Sequence, residues 1–177
     1  MITAPVPTRA EVSDVFIAVF EGADCVMLSA ESAAGQYPVE AVSMMNSIAV
    51  QVERDPLYPG IINAQRSEPE ATGADAISAA ARQIAETLKL SAIITYTASG
   101  TTGLRAARER PQVPIIALSP ILETARRLSL LWGTHCVVTP DASDLDDMVD
   151  RASRIARDEG FGQPGDRRSK DLKRCHR

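Results

Sequence analysis

Three short apolar runs alternate with helix-periodic segments between Ala74 and Ile155, and this alternation constrains the chain more than any other feature. The runs are Ala92–Tyr96, Pro114–Leu118 and Thr134–Val138. They are short and nearly continuously apolar, which is the signature of strands buried on both faces. Ahead of them, Ile77, Ala80, Ala81, Ile84 and Leu88 fall at the i, i+3, i+4, i+7, i+11 spacing of a core-facing helical stripe. Helices are expected at about Thr102–Glu109 and Ile121–Leu131. A last one turns Leu145, Met148, Val149, Ala152 and Ile155 inward, with Ser143 as its N-cap. Strands separated by amphipathic helices require crossovers, so the fold class is α/β with a parallel αβα sheet.

The first part of the chain reads differently. Thr8 and Glu11 have capping-box spacing, and Pro5 and Pro7 keep the preceding backbone extended. Val12, Val15, Phe16 and Val19 then recur at helical spacing until Glu21-Gly22. Ala23–Leu28 is expected to be a buried strand, followed by a polar loop, Ser29–Pro38. A helix from about Val39 carries Val42, Met45, Ala49 and Val52 on one face. This is a βα unit whose loop lies at the strand's C-terminal end, where parallel α/β proteins place their sites. Residues 55–73 contain Pro, Gly and polar residues without clear periodicity and read as a linker.

Charge divides the chain at a different place. The formal net charge is −4, yet residues 167–177 hold six Lys/Arg against one acid, Asp171, for +5. The first 166 residues therefore carry −9. A composition of 45% hydrophobic and 24% charged residues excludes wholesale disorder. No apolar run approaches the roughly 18 residues of a membrane span, and MITAPVPTRAE lacks the regions of a signal peptide. Three widely separated cysteines, Cys25, Cys136 and Cys175, fit a reducing compartment, so a cytoplasmic location is expected.

Two segments could carry chemistry. Thr97-Ala98-Ser99-Gly100-Thr101-Thr102-Gly103 joins a predicted strand to a helix, with hydroxyls and glycines in one turn. Such a turn can offer backbone N–H groups and hydroxyls to a phosphate at the positive end of a helix, with Arg105 and Arg108 adding charge. An ordinary tight turn with an N-cap has the same composition. The segment matches neither a Walker A loop nor GxGxxG. The second candidate is Ser29-Ala30-Glu31, a hydroxyl and a carboxylate just after the first predicted strand; the same groups could simply satisfy the next helix's N-terminus. His135 and Cys136 are adjacent in a strand, point to opposite faces and read as structural. Asp141, Asp144, Asp146, Asp147 and Asp150 lack the Gly and Glu offsets of a calcium loop and suit a helix N-terminus. Arg126-Arg127 reads as a solvated helix face. With His135 and His176 the only histidines, no Ser/His/Asp arrangement can be assembled.

Several motifs in register carry a family resemblance. PTRAEVSDV (Pro7–Val15) and GADCVMLSAESAAGQYPVEAV (Gly22–Val42) resemble the end of the catalytic barrel of pyruvate kinase. ADAISAAARQIAETL, IITYTASGTTGLRAARERP and PIIALSP are similar to its C-terminal domain, in the same order. Where the family's loop usually reads LSGET, this chain has Leu28-Ser29-Ala30-Glu31-Ser32. The resemblance implies residues 1–54 as a remnant of the (β/α)8 barrel, 55–73 as a linker, 74–166 as a truncated C-terminal regulatory domain and 167–177 as a basic tail outside the family. The expected architecture is an incomplete αβα sandwich preceded by one or two helices and a strand of the barrel.

What the resemblance implies about activity follows from what lies where. The family transfers a phosphoryl group from phosphoenolpyruvate to ADP in glycolysis, with Mg²⁺ and K⁺, as a cytoplasmic homotetramer. Its catalytic Lys, Mg²⁺-binding carboxylates and nucleotide-contacting Arg lie upstream of the segment matching Met1. No catalytic residue is retained, Ser29, Ala30 and Glu31 being the active-site loop remnant. Neither metal is expected to bind this chain alone. The turn that grips an effector's phosphate in regulated members corresponds to Thr97, Ser99, Gly100, Thr101 and Thr102. The leading expectation is a pyruvate kinase fragment inactive by itself, whose tail comes from a shifted frame or an unrelated extension. With the family's later strands missing, Ala92–Tyr96 would be left as a sheet edge. The rival is a stand-alone module binding a sugar phosphate or nucleotide at that turn. A nucleic-acid arm made of the tail is disfavoured, since aromatic residues are absent from it and the body is acidic.

Overall fold

The computed structural model describes residues 1–66 and 68–162, so the basic tail lies outside the described residues. The chain separates into two compact units, Met1–Gln65 and Arg66 onward.

The first unit is helical. Helix α1 (Arg9–Phe20) starts at Thr8, whose hydroxyl accepts from the Glu11 N–H while the Glu11 carboxylate accepts from the Thr8 N–H at 2.7 Å. This reciprocal capping box satisfies donors that a helix start leaves open. Helix α2 (Ala30–Ala33) is a single turn, and α3 (Pro38–Arg54) opens with a proline at its first position, where the missing N–H costs nothing. Its covered side holds Ala41, Met45, Ile48, Ala49 and Val52, while Val42 faces out. Helix α4 (Tyr58–Gln65) lies in the segment read as a linker. Tyr58 and Ile62, one turn apart, close a core with Val19 and Val52, and the Tyr58 hydroxyl donates to the Val19 carbonyl at 3.3 Å. Burying such side chains contributes about 1.5–3 kcal/mol each, enough to order a segment that Pro59 and Gly60 make look irregular.

Ala23–Leu28, expected as a buried strand, forms no ladder among the described residues, and Met27 is 85% exposed. A parallel strand needs hydrogen-bonding neighbours, and none is described in this unit.

The second unit is an α/β layer. Helix α5 (Gly73–Leu88) leads to β1 (Ile93–Tyr96), α6 (Thr101–Arg108), β2 (Ile115–Ser119), α7 (Leu122–Leu128), β3 (Thr134–Val138) and α8 (Leu145–Asp158). The three strands are parallel in the order β1-β2-β3, with Ile94 beside Ile116 and Ile116 beside His135. All five residues of β2 are buried, which is where a central parallel strand belongs. Strand β1 is an edge of this sheet. Between α6 and β2 the chain turns through Arg110 (φ +47°), and its guanidinium lies over the Trp132 ring, 5.1 Å from the centroid.

Two expectations for the helices change. Of the stripe expected on α5, Ile77, Ala80 and Ile84 face outward, Ile77 being 71% exposed, while Ala81 and Leu88 are half-buried and the most covered residues are Asp75 and Ala85. A buried ion pair described below decides this rotation. In α8 the N-cap is Asp144, which accepts from the Asp147 N–H at 2.9 Å, one residue after the predicted Ser143. The Ser143 N–H donates instead to the Asp147 carboxylate at 3.0 Å, and Leu145 is exposed.

Candidate functional site

The turn between β1 and α6 is built from its own side chains. The Thr97 N–H is held by the Leu118 carbonyl of β2 at 2.9 Å, so the turn begins as a continuation of the ladder. The buried Thr97 hydroxyl then accepts from the Gly100 N–H at 2.8 Å, closing the loop on itself. Gly100 sits at φ +94° as the N-cap of α6, a conformation that penalises residues with a Cβ. A Cβ there would also meet Thr124 Cγ2 at 3.4 Å, and one on Gly103 would meet Leu128 at 3.2 Å. The turn is thus pressed against α7, and glycine is what permits the approach.

Helix α7 braces the turn with polar groups too. The Thr124 hydroxyl donates to the Ala98 carbonyl at 2.8 Å, and Arg127 donates to the Ser99 carbonyl at 3.3 Å. Arg126 and Arg127 are exposed, as a solvated helix face requires, and Arg127 also stands beside the turn. The signal available in sequence is the i, i+3 spacing of Thr124 and Arg127, which puts both on one side of α7.

Outward, Ser99, Thr101 and Thr102 are exposed. The Ser99 and Thr101 hydroxyls are 2.7 Å apart and the Thr101 N–H points to Ser99 Oγ at 3.4 Å. The first intrahelical bond is from the Leu104 N–H to the Gly100 carbonyl, so the N–H groups of Thr102 and Gly103 lie in the first turn, where no intrahelical acceptor exists. Hydroxyls, N–H groups, the positive helix end and one guanidinium converge on this side. That is chemistry for an anion.

Arg105 and Arg108 do not join them. Arg105 Nε donates to Asp75 Oδ1 at 3.0 Å, and Arg108 Nη2 donates to Asp75 Oδ2. Asp75 is fully buried, and its acidity is raised first by the Glu70 N–H it accepts at 2.9 Å and then by Arg108 and Arg105. An unpaired carboxylate there would be expensive, so this pairing outranks burial of Ile77 and Ile84 in setting the rotation of α5.

In the first unit, Ser29, Ala30 and Glu31 form the start of α2. The Ser29 N–H donates to the Glu31 carboxylate at 3.1 Å, and backbone N–H groups hold that carboxyl below its ordinary range. Gly35 allows the loop to close, since a Cβ there would fall 2.4 Å from the Glu31 carbonyl oxygen. Glu31 also lines a cavity of about 220 Å³ with Glu11, Asp14, Met27 and Met45.

The remaining candidates are engaged structurally. His135 Nε2 is 2.8 Å from Glu159 Oε2 and its ring tilts against Phe161. Asp147 accepts from Ser143 and Arg151 at the start of α8. Among the described residues no three His, Cys, Asp or Glu side chains converge as metal donors, and no helix is long and apolar enough to cross a membrane.

Comparison with known proteins gives one consistent result. Residues 75–168 match the family model for the pyruvate kinase alpha/beta domain, and residues 1–42 match that for the pyruvate kinase barrel domain. A pyruvate kinase of Methylorubrum extorquens is 64% identical over 167 residues, covering 94% of this chain and 35% of the relative. One of Agrobacterium vitis is 43% identical, with the same two coverages. A crystal structure of a pyruvate kinase from Cryptosporidium parvum superposes with a TM-score of 0.84 at 34% identity, over 93% of this chain and 34% of that one. The chain spans about a third of the length of these relatives.

Proposed function

The chain belongs to the pyruvate kinase family, and we propose that it serves phosphoryl transfer from phosphoenolpyruvate to ADP only as part of a larger assembly of that fold. In that reading it supplies the Ser29–Glu31 loop to the catalytic mouth and the α/β unit to a cytoplasmic homotetramer. The donor set carries the proposal: the loop offers one carboxylate, Glu31, already turned back onto the Ser29 N–H. Phosphoryl transfer needs metal and cationic groups gathered around the moving charge, and the described residues do not gather them. Among the described residues no three carboxylate, His or Cys side chains converge to hold Mg²⁺. Purified chain with phosphoenolpyruvate, ADP, Mg²⁺ and K⁺ is expected to form no ATP above a heat-treated control. Sustained ATP formation would overturn this reading.

A second reading has its own observation. The exposed hydroxyls of Ser99, Thr101 and Thr102, backed by Thr97 and the φ +94° of Gly100 and flanked by Arg127, suit the phosphate of a sugar phosphate or nucleotide. Binding at ten times Kd adds about 1.4 kcal/mol of stability, which raises the melting temperature by several degrees. Millimolar fructose 1,6-bisphosphate or AMP should produce that rise in the unaltered chain and not in Gly100→Ala. Equal melting with and without ligand would remove the reading.

A further inference from the structure

Helix α6 carries a second set of charges that the anion turn does not use. Its C-cap, Glu109, is only 2% exposed, with Arg82 Nε of α5 at 3.8 Å and Arg66 Nε at 3.9 Å from the same carboxylate oxygen. On the same helix, Arg108 next to it and Arg105 one turn earlier hold Asp75, whose carboxylate also accepts the Glu70 N–H. Arg66 and Glu70 belong to the stretch that follows α4 and enters α5. The described residues of that stretch lie outside helix and strand, and its further ties include the Thr72 N–H donating to the Glu70 carbonyl at 2.6 Å and the Asp75 N–H donating to the Thr72 hydroxyl at 3.3 Å.

Two buried carboxylates therefore fasten the entry segment at Arg66 and at Glu70, and three of the groups that make up the fastening stand on α6. We propose that α6 is a latch for this segment: Arg105 and Arg108 keep Asp75 ionised and aimed at the Glu70 N–H, while Glu109 seats Arg66. The physical basis is the cost of stranding a buried charge. With both arginines in place, Asp75 stays charged and its oxygens are filled; without them the carboxylate turns to water or takes a proton, and the Glu70 N–H loses a charged acceptor. The segment is then released locally while the sheet stays folded, because β2 shares none of these bonds. On this account Arg105 and Arg108 are positioning residues acting on Glu70 through Asp75, which neither needs to touch Glu70 to do.

Residue-level amide exchange on the full chain tests this. In Arg105→Gln/Arg108→Gln, exchange at Glu70 should quicken at least tenfold, while Ile116 and Leu118 of β2 keep their protection within a factor of two. In Glu109→Gln, which preserves shape, tryptic cleavage after Arg66 should quicken at least threefold with the same unchanged β2. Glu70 exchange within twofold of the parent chain in the double variant overturns the latch. Loss of β2 protection together with Glu70 also overturns it, because the charges would then hold the whole unit and not the segment.

Discussion

The two units spend similar apolar residues differently. In the second, β2 is covered along its whole length and flanked on both sides, so its hydrogen bonds and its side chains are satisfied together. In the first, Val19, Val52, Tyr58 and Ile62 make a small core between helices, while Phe16, Ile17, Met27, Val39 and Val42 remain exposed. A groove of about 390 Å³ runs along α1 and α3 past Phe16, Phe20 and Ile48. Helices carry their hydrogen bonds with them and form wherever one face finds cover. A strand has no such independence, and Ala23–Leu28 forms no ladder among the described residues.

The largest test of this contrast lies in β2. Leu118→Ala should cost about 2–5 kcal/mol in urea unfolding, as deletions in a closed core do, with loss of the second unit's transition. A cost below 1 kcal/mol would mean that the sheet is no tighter than the helical unit. Next comes Gly100→Ala, which forces a Cβ into φ +94° against Thr124 and should lose about 1–3 kcal/mol. In the helical unit, Thr8→Ala removes a cap and should cost about 1 kcal/mol, read as reduced helicity near α1.

Acid should reach the first unit through the same cap. The Met1 ammonium first, and then the backbone and hydroxyl of Thr8, hold Glu11 down at about 2 from an ordinary 4.5. A carboxyl lowered on folding stabilises fully above its unfolded value and ceases to as pH falls through the folded one. The α1 start should therefore weaken between about pH 4.5 and 2, and Glu11→Gln should flatten that titration. Least of all, Met27→Ser should change stability by less than about 0.5 kcal/mol, since that side chain already stands in water. A cost of 2 kcal/mol would show that Met27 is covered in solution.

How much of this is legible in sequence depends on how local the cause is. The Thr8/Glu11 box, the three strands and the glycine–hydroxyl turn after β1 are written in neighbouring residues, and they appear where the sequence puts them. The inward face of α5 is not, because it is decided by Asp75 meeting arginines 30 and 33 positions away. An amphipathic stripe assumes that apolar residues win the interior, and here a buried ion pair wins it. Helix α4 is hidden for a milder reason: Pro59 and Gly60 read as punctuation, and only Val19 and Val52 make Tyr58 and Ile62 worth ordering. Arg127 is solvated as an Arg-Arg pair suggests, and only its bond to the Ser99 carbonyl is hidden until α7 is set against the turn.

The stacking of Arg110 on Trp132 has a spectroscopic consequence. The chain has a single tryptophan, and it lies in the second unit between α7 and β3. Two of the three tyrosines, Tyr37 and Tyr58, lie in the first. Emission excited at the red edge of indole absorption thus reports on one unit alone, and phenolic absorbance is weighted toward the other. The protein carries its own pair of optical labels, and melting followed at two wavelengths resolves whether its halves come apart together.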